Sequence, residues 1–392
     1  MACGWLDDAE RGFASTVAGL RAAGERGLAI AASHLLGQIQ VAQGRLAAAL
    51  GTCQAALEIA AAGPGRPAPP AAGIAYVGMA GVEYQRGELD AALRHVTEGI
   101  ALLRPASYTS PMATGLATLA WIRQARGDTA GALEAIGEAE QVAPSPAMAD
   151  LSNPLPAQRA KLLLAQDDAD AAARWVQQRG LDADDEPGYP RERGYLVLAR
   201  VLLAEDRPRR ALALLERLLQ AAVTQDRTSS VIEIQALRAL ALAAGGDQPA
   251  AVAALAEALT LACPQSYARV FADEGAPMRA LLGRLIAAQR AEQSRRGASH
   301  PVTWPRSRRR SIPNPPRQAR RRGSPRRRGA CPAAGTHERG QVEWPVAPRP
   351  GQPGRVCTTL GRPRCGGRIP RRPSSHAGWR SCWPAARPAW QR

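Results

Sequence analysis

The 392-residue sequence predicts an all-α solenoid of helical hairpins, with repeats of about 40 residues, followed by a disordered basic tail. Three observations predict it. A short phrase recurs at a fixed interval. Apolar residues make up 45% of the chain while aromatics reach only 4%, as suits helices packed through Ala and Leu. Charge divides the chain in two: residues 291–392 hold 24 of the 51 Lys and Arg but only Glu292, Glu338 and Glu343, a net charge of +21. That last quarter also carries half of the 32 prolines and five of the eight tryptophans, whereas residues 1–290 have a net charge of −4. The overall +17 is therefore not one basic surface.

The recurring phrase is clearest in Tyr84-Gln-Arg-Gly87-Glu-Leu-Asp90-Ala-Ala92-Leu-Arg-His95-Val96. It reads as the end of a helix, a tight Gly turn and the start of a second helix with Asp90 near its N-terminus. It returns as Gln124-Ala-Arg-Gly127-Asp-Thr-Ala-Gly-Ala132-Leu-Glu-Ala-Ile136. Anchored on the turn residue, the series is Gly44, Gly87, Gly127, Asp167, Asp206 and Gly246, spaced by 43, 40, 40, 39 and 40 residues.

Each element follows from that register. Seven residues before the anchors stand Gly37, Ala80, Ala120, Ala160, Ala199 and Ala239; five after them stand Ala49, Ala92, Ala132, Ala172, Ala211 and Ala251. These small residues let two antiparallel helices approach across the turn. Nine after the anchors come Cys53, Val96, Ile136, Val176, Leu215 and Leu255, which continue the stripe by i+4 toward the next repeat. A hairpin buries one face alone, and stacking buries the rest, leaving a concave groove. Extrapolated backward, the period reaches Gly4, with Ala9 and Phe13 in register. The chain is thus expected to open at an inter-helix turn with the second helix of an incomplete repeat, near residues 7–22. The domain reading is residues 1–27 for that helix, 28–290 for the repeats and 291–392 for the tail.

The small-residue pattern resembles the tetratricopeptide repeat, a right-handed superhelix. Residues 27–290 resemble the repeat domain of MalT-like, LuxR-family transcriptional regulators, most tellingly in residues 84–100, Thr118-Leu-Ala-Trp-Ile122, residues 231–240 and Val270-Phe-Ala-Asp-Glu-Gly-Ala-Pro-Met-Arg-Ala-Leu-Leu282. The resemblance implies a parent with an N-terminal ATPase, a helical sensor domain and a C-terminal helix-turn-helix. In that family, ATP is expected only in the N-terminal domain. No G-x-x-x-x-G-K-[ST] phosphate loop occurs here, and the only lysine, Lys161, is followed by Leu162. No cofactor or metal is expected in this chain.

The tail does not read as a helix-turn-helix, because prolines interrupt it every few residues. Three readings compete. An Arg-rich tail, with Arg306, Arg308, Arg320 and Arg326 among its cations, could neutralise phosphates while Trp304 or Trp344 stack on bases. Solvated disorder needs no partner. The preferred reading is an out-of-frame remnant of linker and helix-turn-helix, since Ala codons in GC-rich DNA become Arg, Pro or Gly when the frame slips. With codons freely chosen, residues 298–313 yield an amphipathic Tyr-Leu-Ala-Ala-Leu-Ala-Ala-Ala-Phe segment in another frame.

Other motifs are weaker. Cys357, Cys365, His376 and Cys382 lack the tight Cys pair of a structural zinc site. Asp182, Asp184, Asp185 and Glu186 lack the alternation of a calcium loop and read as a solvated inter-repeat loop. Residues 63–70 are too Pro-rich to cradle phosphate and read as a linker. His34 and His95 have no nucleophile arranged beside them, so no enzyme is expected; His95 reads as a surface or boundary residue. Every apolar run is too short for a membrane span and no secretory signal opens the chain, so the expected location is cytoplasmic, with no membrane partner.

The groove remains. Tyr76, Trp121, Arg123 and Arg159 fall on first helices, and aromatic plus Arg suits a small polar or sugar-like inducer. Tyr76 and Trp121 read more readily as packing residues between repeats. The favoured expectation is a sensor solenoid that takes a small-molecule inducer or protein partner in its groove, is capable of self-association, and reaches DNA only through a domain missing here. The alternative is an autonomous adaptor for peptides or proteins, with the basic tail adding nonspecific nucleic-acid affinity.

Overall fold

All six anchors adopt left-handed backbone: φ is 79° at Gly44, 78° at Gly87, 84° at Gly127, 62° at Asp167, 55° at Asp206 and 88° at Gly246. The computed structural model in which they are seen describes residues 4–61, 68–143 and 155–298, with side chains to residue 291. Each anchor closes the same turn. At Gly87, its own N–H donates to the Tyr84 carbonyl at 2.8 Å and the Glu88 N–H donates to the Glu83 carbonyl at 2.9 Å. This pairing uses up two carbonyls left over at a helix end and needs a residue that tolerates positive φ. Asp at two anchors fulfils that need because its short polar side chain visits this region more readily than most. At three of the second helices, the residue after the anchor is an Asp whose carboxylate accepts from the backbone: Asp128 from Gly131, Asp168 from Ala171 and Asp247 from Ala250.

The described residues form fifteen α-helices. The first helices of the hairpins are α2 (Arg26–Ala42), α4 (Ala72–Gln85), α6 (Thr109–Ala125), α8 (Leu155–Ala165), α10 (Glu192–Ala204) and α12 (Thr228–Ala244). Their partners are α3 (Leu46–Ala60), α5 (Leu89–Leu103), α7 (Thr129–Val142), α9 (Ala169–Gln178), α11 (Pro208–Thr224) and α13 (Gln248–Ala262). Ahead of them lies α1 (Trp5–Ala22), behind Gly4 with φ 110°; it starts two residues earlier than expected. After them come α14 (Arg269–Ala272) and α15 (Gly275–Ala298).

The register holds at atomic detail. All eighteen residues at seven before, five after and nine after the anchors are buried, most of them completely. The small residues matter most where backbones cross. A Cβ on Gly73 would stand 2.6 Å from the Gly99 carbonyl oxygen and 2.7 Å from the Leu103 side chain, so α4 and α5 meet glycine to glycine.

Two features depart from the sequence expectation. Midway between anchors, Gly24, Ser107, Asp226 and Ser266 also take positive φ, each twenty residues after Gly4, Gly87, Asp206 and Gly246. At these four places the second turn repeats the left-handed conformation of the first, but its residues are too varied to stand out. The last helix also passes residue 290 and runs to Ala298, because Arg, Glu, Gln and Ala sustain a helix after the apolar stripe ends. Residues 63–67, the tail readings from residue 299 onward and Cys357, Cys365, His376 and Cys382 lie outside the described residues.

First helices pack on the first helices of neighbouring repeats, as α2 on α4, α4 on α6 and α8 on α10, whereas second helices pack chiefly on first helices. First helices therefore form the inner row of a curved stack. The curvature brings the stack back on itself, for α12 meets α2 and α14 meets α4. The Ala268 N–H donates to the Gln85 carbonyl at 2.8 Å and the Ala47 N–H donates to Gln265 Oε1 at 3.0 Å. A Cβ on Gly87 would touch that of Ala268 at 3.3 Å, and Leu46, Ala49 and Val82 join the buried apolar cluster of the last repeats. Among the described residues, no helix is long and apolar enough to cross a membrane.

Candidate functional site

Six residues before the anchors, one turn position beyond the small residue, lie Trp121, Lys161 and Arg200 on α6, α8 and α10. Adjacent helical positions differ by 100°, so when the small residue faces its hairpin partner the next residue turns toward the inner row. Glu233 on α12 lies seven residues before Leu240, which shares that register, and so projects from the same face of its helix. The closing segment supplies Arg269, Asp273 and Glu274.

These side chains form two adjoining groups, linked through the consecutive residues Asp273 and Glu274. Arg200, with only 8% of its side chain exposed, grips Glu274 with Nε at 3.1 Å and Nη2 at 2.5 Å. Its Nη2 also donates to Glu233 Oε1 at 2.7 Å, and its Nη1 donates to the Leu196 carbonyl at 3.1 Å. Lys161 Nζ lies 3.3 Å from the same Glu233 oxygen and 5.2 Å from the centre of the Trp121 ring. Tyr84 donates its hydroxyl to Asp273 Oδ2 at 2.5 Å, and Arg269 pairs with Asp273 while its guanidinium lies 5.5 Å from the Tyr84 ring. Lys161, Arg200 and Arg269 balance Glu233, Asp273 and Glu274, so the cluster has no net charge.

The electrostatics follow from that enclosure. Burial opposes ionisation of Glu233, but the fields of Lys161 and Arg200 outweigh it and hold the carboxyl well below the usual carboxylate range. At Asp273 burial wins over Arg269 and Lys161, and the carboxyl is pushed up. Burial and the Asp273 charge drive the Tyr84 hydroxyl up as well.

The four residues expected in the groove are not gathered into one place. Trp121 is buried beside Lys161 in the inner cluster. Tyr76 stacks on His95 with ring centres 5.7 Å apart, and His95 Nδ1 lies 2.7 Å from Glu83 Oε2. Arg123 donates to the Gly131 carbonyl at 2.8 Å and lines a cleft of about 500 Å³ between α5, α6 and α7. Arg159 pairs with Glu140 at 2.6 Å and lines a separate cleft of about 400 Å³ beside Trp175. The acidic loop is engaged by arginines: Arg210 lies 3.2 Å from Asp182 and 3.5 Å from Asp184, and Tyr195 donates to Asp185 at 2.9 Å.

Two further groups, Cys53 and His34, lie beside Gly78. Burial and the Glu83 charge push the Cys53 thiol up to about 12, which leaves it protonated and unreactive. Burial lowers the pKa of His34, whose Nε2 lies 2.8 Å from Gln38 Nε2. Among the described residues, no group of His, Cys, Asp and Glu is arranged to hold a metal ion.

Lys161, Arg200, Glu233 and Glu274 were missed in the sequence, although a signal existed. One lysine stands among 50 arginines, and it shares the register of Trp121 and Arg200.

Among curated proteins, none matches this chain. The family model described as the MalT-like TPR region matches residues 2–288, nearly three quarters of the sequence. By that extent and by its hairpin register, the chain belongs to the MalT-like TPR region family.

Proposed function

We propose that this chain is the sensor solenoid of a MalT-like, LuxR-family transcriptional regulator, in which a small polar effector binds the inner face formed by the first helices. The single observation that carries the reading is the inner cluster, where Trp121, Lys161 and Arg200 of three successive repeats present one indole face and two cations. An aromatic plane beside paired charges recognises a hydroxyl-rich or carboxylate-bearing molecule by stacking and hydrogen bonds. Binding would act by population shift, favouring one arrangement of the repeats and with it a change in self-association. In this reading the chain works in the cytoplasm without a cofactor or catalytic step, and nucleotide hydrolysis and operator binding belong to other domains of the regulator.

The test is calorimetric titration of the protein with mono- to tetrasaccharides and small dicarboxylates. Saturable binding that is lost in Trp121→Ala and in Lys161→Ala, with both variants folded, supports the reading. Absence of binding across both panels refutes it. A second reading, an adaptor for peptides, is favoured by the outer cleft between α5, α6 and α7. Its floor is Leu93, Ile100, Leu116 and Leu119, and its rim carries Arg104, Arg126 and Glu138. Such a cleft accepts an amphipathic segment. Capture of peptides that is abolished by Leu119→Asp, with the small molecules inert, would select the adaptor.

A further inference from the structure

We propose that residues 263–274 form an autoinhibitory latch, which closes the curved stack over its own inner face through the carboxylates of Asp273 and Glu274. The idea rests on the inner face being the binding surface and names what regulates it.

The contacts divide by reach. Inside each hairpin, helices are held by apolar burial and by turns local in sequence. The closure instead joins residues about two hundred positions apart, and many of its contacts are polar. Tyr84 meets Asp273, Gln85 meets Ala268, Ala47 meets Gln265, and the Tyr267 hydroxyl approaches the Val41 carbonyl at 3.5 Å. The segment is also built differently from a repeat. It comprises a 3-10 turn at Cys263–Gln265, Ser266 at φ 61° and a first helix of only four residues, where the repeats have eleven or more.

Arg200 ties this segment to the effector surface. Its guanidinium is shared between Glu233, which also meets Lys161, and Glu274 of the latch. A ligand that engages Arg200 with its own acceptors therefore competes with Glu274 for the same donors, and one that engages Lys161 competes with Glu233, which shares Arg200. A buried ion pair contributes little net stability against an apolar replacement, yet losing one partner is costly. That combination suits a two-state contact: stable when matched, and released when another acceptor takes the arginine. Removing Glu274 from the cluster leaves one uncompensated positive charge on the inner face, which an anionic or acceptor-rich effector would satisfy.

The test is hydrogen exchange on the full chain, read at the Ala268 amide, together with the radius of gyration from solution scattering. Glu274→Gln keeps the side-chain shape and removes the charge; Tyr84→Phe removes a single hydroxyl and serves if the first variant folds poorly. The latch predicts that exchange at Ala268 accelerates by roughly tenfold or more, that the radius of gyration rises, and that turn amides such as Glu88 and Asp128 keep their protection. Unchanged exchange at Ala268 in both variants would overturn the proposal. So would equal acceleration at Ala268, Glu88 and Asp128, because closure would then be inseparable from the global fold. The effector titration is independent of these readings. A latch that opens in a protein that binds no small molecule removes the functional reading and leaves the latch standing, and tight binding with an unaltered Ala268 amide does the reverse.

Discussion

Replacing Gly73 by alanine sets two effects of opposite sign against each other. Alanine is the better helix former, by about 1 kcal/mol within a helix interior and by less in the first turn, where Gly73 lies, so propensity alone predicts a gain. The structure predicts a loss. The new methyl would lie 2.6 Å from the Gly99 carbonyl oxygen and 2.7 Å from Leu103 Cγ, about an ångström inside van der Waals contact. The Gly99 oxygen belongs to the backbone of α5 and cannot rotate away. The helices must separate, and overpacking of this kind costs about 1–3 kcal/mol. Gly81, on the same helix, is the control: nothing lies within 4 Å of its Cβ position, so the propensity gain is unopposed there. In a domain of this size about 1 kcal/mol moves Tm by about 2–4 °C. Calorimetric scans should therefore place Gly73→Ala below the parent and Gly81→Ala above it, by a few degrees each way. If Gly73→Ala is as stable as Gly81→Ala, glycine at the α4–α5 crossing is not there for close approach, and the packing account of the repeat fails.

Other expectations test separate parts of the fold. Arg227, almost wholly buried against Glu192 and Ser230, should cost about 3–5 kcal/mol when changed to Met, because Glu192 is left as an unpaired buried carboxylate. The double variant Arg227→Met with Glu192→Gln should recover part of that loss in urea denaturation, and strict additivity would show that the two do not interact. Asp206, at φ 55°, should tolerate Gly with little change but lose about 1–3 kcal/mol on replacement by Val, whose branched side chain is strained in left-handed backbone. His34 has a pKa below its usual 6.5 in the folded chain, so the unfolded chain binds more protons as pH falls through 6.5. Stability should decline from that point toward the lower folded value, and His34→Gln should flatten the decline between pH 7.5 and 5.5. Cys53 should resist iodoacetamide at pH 8 in the native protein and react in urea, as peptide mapping would report.

The repeat was legible because its signals are local. A Schellman turn needs one residue that accepts positive φ, and Gly or Asp marks it; the Ala positions are fixed by counting residues along two helices from that point. Tyr76, Trp121, Arg123 and Arg159 were placed correctly on first helices, but counting did not say which way each side chain points. Arg123 sits two residues after Trp121, about 200° round the helix, and so turns to the α5–α7 cleft while Trp121 turns inward. The half-period turns escaped notice because Gly24, Ser107, Asp226 and Ser266 share a conformation but not a residue type.

By itself the sequence determined the hairpin, its period and its buried stripe, since each depends on residues within one or two turns of an anchor. The inner cluster was a different matter. Arg200 could be seen as a charged residue in a helix, and Glu274 as part of a phrase near the end, yet nothing in their separation of 74 residues assigns one to the other. That pairing depends on the accumulated rotation of successive repeats, a small angle per hairpin summed around the stack. Only the tertiary structure performs that sum. It brings α14 against α4 and α12 against α2, and so turns an open groove expected from the repeats into a closed, charge-balanced interior.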